Sequence, residues 1–92
     1  MAKIAVKLYT TLRRKLGVTK LDLEGNTVKD LIDRLCEYKS PDVAEVLLNS
    51  DGTVRQHFVL TLNSEILDNR SIEEVKVKQN DILHVFPPVS GG

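Results

Sequence analysis

Cysteine, net charge and long apolar runs are all scarce in this 92-residue sequence. Cys36 is the only cysteine, so an internal disulfide is excluded and nothing indicates an oxidising compartment. Basic and acidic residues number 13 each, so the formal net charge is zero. This balance argues against a nucleic-acid partner, because duplex-binding domains are usually basic. We interpret the short basic run at residues 13–15 as solvated surface.

Segments that would direct the chain to a membrane are also missing from the sequence. No stretch approaches the ~20 apolar residues of a membrane-spanning helix. Residues 1–8 alternate between polar and apolar side chains, whereas a signal peptide needs an uninterrupted apolar stretch. We therefore expect a cytoplasmic protein with no membrane partner. His57 and His84 are far apart and lack ligand-like neighbours, so no metal site is predicted.

The residues that are present predict one small domain with strands and helices. Five segments have the alternation or the β-branched and aromatic content of strands: residues 3–9, 20–24, 58–62, 65–67 and 82–86. The first two would pair as a hairpin through a turn or short helical connection that Gly17 ends. Turns are predicted at residues 49–52, 63–64 and 79–81.

Residues 27–38 give the clearest helical pattern. Thr27 is a good N-cap, and Asp30 lies three residues on, as in a capping box with aspartate in place of glutamate. An apolar stripe follows with helical spacing: Val28, Leu31, Ile32, Leu35 and Cys36. We expect Cys36 to pack in the core and not to relay sulfur. Ser40 and Pro41 would end this helix and cap a second, short helix that reaches about Asn49.

This order of elements predicts an α+β domain, with a mixed sheet and the main helix packed across one face. Residues 1–86 would form the domain, and residues 87–92 an extended, flexible tail. On the last strand, Leu83 and Val85 would join the core, while His84 and Phe86 face the other way.

The tail carries the most informative pattern. Pro87 and Pro88 would stiffen it into an extended stem, and Gly91 and Gly92 end it without side chains, so that it could thread a narrow tunnel. A terminal carboxylate, with a pKa of ~3.5, is ionised at neutral pH and is a poor electrophile. The sequence has no phosphate-cradling glycine loop and no nucleophile–base pair to activate it. We therefore expect a substrate that is carried between enzymes.

Residues 81–92 resemble the ending of a known family, because they combine an acidic turn, a final strand, a double proline and Gly-Gly. Residues 6–9, 12–13 and 16–17 also resemble that family's first strand and the segment after it. The family is that of the MoaD-type sulfur carriers, the small subunits of molybdopterin synthase, which have a ubiquitin-like β-grasp fold. The resemblance runs over nearly the whole chain.

The resemblance implies a carrier that is not catalytic alone. An adenylating enzyme of the ubiquitin-activating, MoeB type would use ATP to adenylate Gly92. A sulfur donor would then convert it to a thiocarboxylate. A large MoaE-type synthase subunit would receive the tail, and the sulfur would pass to a pterin precursor of the molybdenum or tungsten cofactor. No permanently bound cofactor is implied.

The resemblance also assigns the partner-binding residues. Tyr9, Ile66 and Phe86 match apolar family positions that pack against the partner, and Arg13 matches a basic position. The stem formed by Pro87, Pro88 and Val89 would enter the partner together with the tail.

Three other functions stay open at this point. The chain could be a protein modifier joined to lysines through Gly92, as ubiquitin is. It could be a sulfur carrier for thiamine or amino-acid pathways. It could also be a binding module whose tail has no role, since chain ends often fray without function.

Overall fold

A computed structural model describes residues 2–38 and 42–87 of the chain. Its elements follow in the order β1 (Ala2–Leu8), α1 (Thr10–Leu16), β2 (Lys20–Gly25), α2 (Val28–Tyr38), α3 (Asp42–Leu47), β3 (Val59–Leu62), β4 (Glu65–Ile66), a short 3-10 helix (Ile72–Glu74) and β5 (Ile82–Phe86). Across the described ranges, no helix has the length and apolar character needed to cross a membrane.

The five strands form one mixed sheet in the order β2-β1-β5-β3-β4. β1 pairs antiparallel with β2, as the hairpin prediction required, and β3 pairs antiparallel with both β4 and β5. The central strands β1 and β5 run parallel. The predicted α+β architecture with a mixed sheet is therefore confirmed.

One face of the sheet builds the core against α2, because alternate side chains of a strand point to the same side. Fully buried residues come from β1, β3 and β5 and from the predicted stripe of α2: Ile4, Val6, Leu60, Leu83, Val85, Val28, Leu31, Ile32 and Leu35. Burying each of these side chains contributes roughly 1.5–3 kcal/mol. Cys36 is half-buried and packs against this cluster, as predicted.

The predicted capping box at the start of α2 is present. The backbone N–H of Asp30 donates to Oγ1 of Thr27 at 3.2 Å, and the N–H of Thr27 donates to Oδ2 of Asp30 at 3.1 Å. The same carboxylate oxygen accepts the N–H of Asn26 at 2.9 Å. These donors hold the pKa of Asp30 below its ordinary value, the Asn26 N–H having the largest effect.

A second carboxylate closes the turn before β5. Asp81 is buried and accepts from Nδ2 of Asn63 at 3.1 Å and from the N–H of Lys78 at 2.9 Å. Oδ1 of Asn63 accepts the N–H of Ile82 at 3.0 Å. The N–H of Lys78 is the main cause that lowers the pKa of Asp81. This network fixes the start of β5, the strand that leads to the tail.

The structure differs from the predictions in local detail. β1 ends at Leu8, not at residue 9. Tyr9 still has an extended backbone, but it is the N-cap residue of α1. The connection after it is a helix, which ends at Gly17 with φ of 74°, a conformation that glycine adopts without strain. The 3-10 helix at Ile72–Glu74 was not predicted, since its segment is mostly polar. Ser40 and Pro41, predicted to separate the two helices, lie outside the described residues.

Candidate functional site

The tail leaves the sheet where β1 passes into α1. β5 lies parallel beside β1, with Val85 opposite Leu8, so Phe86 emerges next to Tyr9. On its other side Phe86 pairs with Val59 of β3. Pro87 follows and is half-buried. Pro88, Val89, Gly91 and Gly92 lie outside the described residues, so the candidate site is defined by the end of the sheet from which they continue.

Three rings form an aromatic cluster at this point, on the sheet face opposite the helices. The ring centroids of Tyr9 and Phe86 are 4.6 Å apart, and the planes meet at 16°. His84 stacks beside both, with its centroid 5.7 Å from that of Phe86 and 6.0 Å from that of Tyr9. Stacked aromatic pairs at such distances add roughly 0.5–1.5 kcal/mol beyond their burial. The aromatic cluster therefore fixes Phe86, the residue before Pro87, against a packed set of rings.

A hydrogen bond joins two members of the aromatic cluster. The hydroxyl of Tyr9 and Nδ1 of His84 are 2.8 Å apart. Burial lowers the pKa of His84, and the positive charge of Lys7 lowers it further. A lowered pKa favours the neutral imidazole, and in the tautomer with the proton on Nε2 the Tyr9 hydroxyl donates to Nδ1.

Apolar side chains continue from the aromatic cluster toward the β4 edge. Val59 is 38% exposed and Ile66 is 77% exposed. Ile66 lies opposite Thr61, which in turn lies opposite His84, so Ile66 shares the sheet face of the cluster. We call this face, formed by the aromatic cluster, Val59, Thr61 and Ile66, the open face. A contiguous exposed apolar surface is what a docking site needs.

Arg13 lies on α1 and is exposed. It lines a shallow hollow together with Arg14, Gly17, Val18, Thr19 and Lys20. The structure thus brings Tyr9 and Phe86 into direct contact and places Ile66 on the same face, while Arg13 lies on the helix that follows Tyr9. Their roles in binding a partner stay predictions.

The thiol of Cys36 and the imidazole of His57 do not belong to the open face. Burial raises the pKa of the Cys36 thiol to about 11, so the reactive thiolate is scarce at neutral pH. His57 is exposed in the turn before β3. Within residues 2–38 and 42–87, no group of three or more His, Cys, Asp or Glu side chains is arranged to hold a metal ion.

Two features of the site were missed by sequence reasoning. Val59 was not singled out, although its position next to Leu60 in a strand places it on the face opposite the core. The partnership of Tyr9 with His84 was also missed, because it depends on the parallel pairing of β1 with β5. The alternation of side chains along β3 is enough to predict the exposure of Val59. No local pattern predicts the contact between Tyr9 and His84.

Known proteins with similar sequences include molybdopterin synthase sulfur carrier subunits, and those with similar structures include a small archaeal modifier protein. The ThiS family model matches residues 6–92. The molybdopterin synthase sulfur carrier subunit of Drosophila yakuba is 33% identical over 70 residues, which cover 74% of this chain and 77% of that protein.

Two solved structures are similar over nearly the whole chain. SAMP1 of Haloferax volcanii has a TM-score of 0.85 and 26% identity, covering 99% of this chain and all of that one. The BexX/CysO complex of Amycolatopsis orientalis contains a chain with a TM-score of 0.79 and 26% identity, covering 97% of this chain and 99% of that one. The chain therefore belongs to the ThiS family, among the MoaD-type sulfur carriers of ubiquitin-like β-grasp fold.

Proposed function

We propose that this protein is the sulfur-carrying small subunit of a molybdopterin synthase, with the carboxyl group of Gly92 as its reactive group. The observation that carries the proposal is the stacking of Phe86 on Tyr9 at the root of the tail. This contact joins the strand that bears the tail to an exposed apolar surface. A partner that docks on the open face would therefore hold the tail at a set position relative to its own active site.

The chemistry takes place at Gly92 in three steps, each of which depends on other proteins. An adenylating enzyme transfers AMP from ATP to the Gly92 carboxylate and releases pyrophosphate. Sulfide supplied by a donor then attacks the acyl carbon, AMP leaves, and a thiocarboxylate remains. In the large synthase subunit the thiocarboxylate sulfur forms a bond to the pterin precursor, and water then hydrolyses the acyl–sulfur bond, so that the sulfur stays on the precursor and Gly92 returns to a carboxylate.

The name of the Drosophila relative supports this pathway, since that protein is a molybdopterin synthase sulfur carrier subunit. The arrangement of the open face supports the docking step, because Val59 and Ile66 add exposed apolar surface beside the aromatic cluster. A hydrophobic centre with aromatic residues is typical of protein interfaces.

A second candidate function is that of a protein modifier. It is favoured by the close structural similarity to SAMP1, the small archaeal modifier protein 1 of Haloferax volcanii. In that case the activated Gly92 acyl group would form an isopeptide bond with a lysine of another protein. The activation step is shared, and only the acceptor differs.

Deletion of Gly92 tests both candidates in the native host. We expect the variant to keep its fold and to leave the host deficient in the molybdenum or tungsten cofactor. Unchanged cofactor synthesis would overturn the proposal. Purification of the tagged wild-type carrier then separates the candidates: a co-purifying large synthase subunit supports the carrier, whereas Gly92-linked isopeptides without that subunit support the modifier.

A further inference from the structure

The charges of this neutral chain are strongly segregated. Residues 1–21 contain six basic residues and no acidic one: Lys3, Lys7, Arg13, Arg14, Lys15 and Lys20. The rest of the chain contains seven basic and thirteen acidic residues. A net charge of zero therefore conceals an excess of six positive charges in the first segment, balanced by an equal excess of negative charges in the rest.

The positive segment includes the part of the sheet that lies on one side of the root of the tail. It forms β1, α1 and the start of β2. On the open side of the sheet, Lys7 lies directly opposite Lys20 on one neighbouring strand and opposite His84 on the other. Like charges placed directly opposite across two strands destabilise a sheet, so this arrangement carries a cost in folding free energy. Lys20 has one anion near it on β2, Asp22. The Asp22 carboxylate is 4.0 Å from Nζ of Lys20, and both side chains are about half exposed.

Helix α1 extends the positive surface beyond the sheet. Arg13 and Arg14 are exposed, and they line one hollow together with Lys20. Cations in the last turn of a helix interact favourably with its dipole, which accounts for part of their placement. The dipole does not account for Lys7 and Lys20, which lie on strands. We call the surface of Lys7, Arg13, Arg14 and Lys20 the basic rim.

We propose that the basic rim binds an acidic protein surface that borders the channel receiving the tail. This inference rests on the proposed function and names the chemistry of the partner. The rim spans β1, α1 and β2 and adjoins the aromatic cluster, so it covers a wider area than one phosphate group. An apolar centre with a charged border has the anatomy of a protein interface.

The segregation of charge also has a kinetic consequence. A partner with an acidic entrance attracts the basic rim and repels the acidic remainder of the chain, so the carrier approaches with the root of its tail toward that entrance. Such steering raises the association rate constant and makes it sensitive to salt, because exposed charges are screened over ~10 Å at 0.1 M ionic strength.

The test is stopped-flow association of the full-length carrier with the purified adenylating enzyme and with the purified large synthase subunit, over a series of salt concentrations. We expect the association rate constant to fall steeply with salt. The Lys7→Gln/Lys20→Gln and Arg13→Gln/Arg14→Gln variants should each associate at least ~10-fold more slowly than wild type at low salt. Lys7→Arg/Lys20→Arg keeps the charge and should retain the wild-type rate.

Lys76→Gln/Lys78→Gln is the matched control, because it also removes two exposed positive charges but lies outside the basic rim. Its rate constant should stay near that of wild type. Tight association that does not depend on salt and is equal in all variants would overturn this inference alone. Absence of any wild-type association or thiocarboxylate formation would overturn the proposed function as well. Saturable shifts of the amide signals of residues 13, 14 and 20 with inorganic phosphate would indicate a small-anion site and overturn the protein-surface assignment.

Discussion

The hydroxyl of Tyr9 lies 2.8 Å from Nδ1 of His84, and this contact joins the end of β1 to the strand that carries the tail. The two residues are 75 positions apart in the sequence. Their hydrogen bond and the stacking of both rings on Phe86 hold the root of the tail in one orientation. The point at which the chain leaves β5 is thus set by side chains of the open face.

Removal of the hydroxyl with Tyr9→Phe should leave the stacking on Phe86 intact. The lost hydrogen bond should lower the free energy of unfolding by about 0.5–1 kcal/mol, because the pair is only partly buried. Urea unfolding measures this change. The Nδ1 chemical shift of His84 should also differ between wild type and Tyr9→Phe. An identical shift in both proteins would contradict the hydrogen bond.

Acidification should destabilise the fold through His84. Burial and Lys7 lower its pKa below the ordinary 6.5, and its neighbour Thr61 on β3 adds no charge. Below pH 6.5 the unfolded chain therefore binds a proton that the folded chain resists, and stability falls until the pH reaches the folded pKa. The free energy of unfolding of wild type should decrease more than that of His84→Gln between about pH 8 and about pH 5. An equal decrease in both proteins would show that His84 has no such role.

Ile66→Ser should weaken partner binding without changing stability. The side chain is 77% exposed, so the free energy of unfolding should change by less than ~0.5 kcal/mol. Loss of an apolar anchor should raise the dissociation constant for the large synthase subunit about 10-fold or more. Tyr38→Ser is the control, since Tyr38 is 51% exposed on α2, on the other side of the sheet. Calorimetry measures the dissociation constant of each variant. An equal increase for Ile66→Ser and Tyr38→Ser would exclude a specific role for the open face.

Asp30→Ala should remove the capping box of α2. We expect a loss of about 1 kcal/mol in the free energy of unfolding. Because the folded pKa of Asp30 is lowered, its contribution is present above the ordinary value of 3.8 and is lost as the pH falls through the folded pKa. Asp33→Ala should cost less than ~0.5 kcal/mol, since its ion pair with Lys29 is at the surface. Urea unfolding measures the free energy of unfolding of both variants. A greater loss of stability for Asp33→Ala than for Asp30→Ala would refute this account of the helix start.

Periodicity and local hydrogen bonding made much of the fold predictable. The alternation of β1 and β5 assigned Val6 and Val85 to the core, and the spacing of Thr27 and Asp30 placed the start of α2. In each case the signal lies within a few residues, where backbone geometry determines which side chains share a face.

Contacts between distant segments were not predictable in the same way. The parallel pairing of β1 with β5 brings Tyr9 to His84, and no local pattern encodes it. The turns at Asn63 and Asn80 carry positive φ of 58° and 75°, a left-handed conformation that asparagine adopts more readily than most residues with a side chain. The cost of the Lys7–Lys20 pairing likewise becomes visible only once the strand register is known.

The central claim is that Gly92 carries the sulfur. It is tested most directly by the mass of the carboxyl-terminal peptide, taken from carrier incubated with ATP, the adenylating enzyme and a sulfur donor. The account predicts a peptide that ends at Gly92 and has gained the mass difference of one sulfur replacing one oxygen, only when ATP is present. A peptide that keeps its carboxylate under these conditions, or a native protein that continues past Gly92 without being trimmed, would contradict it.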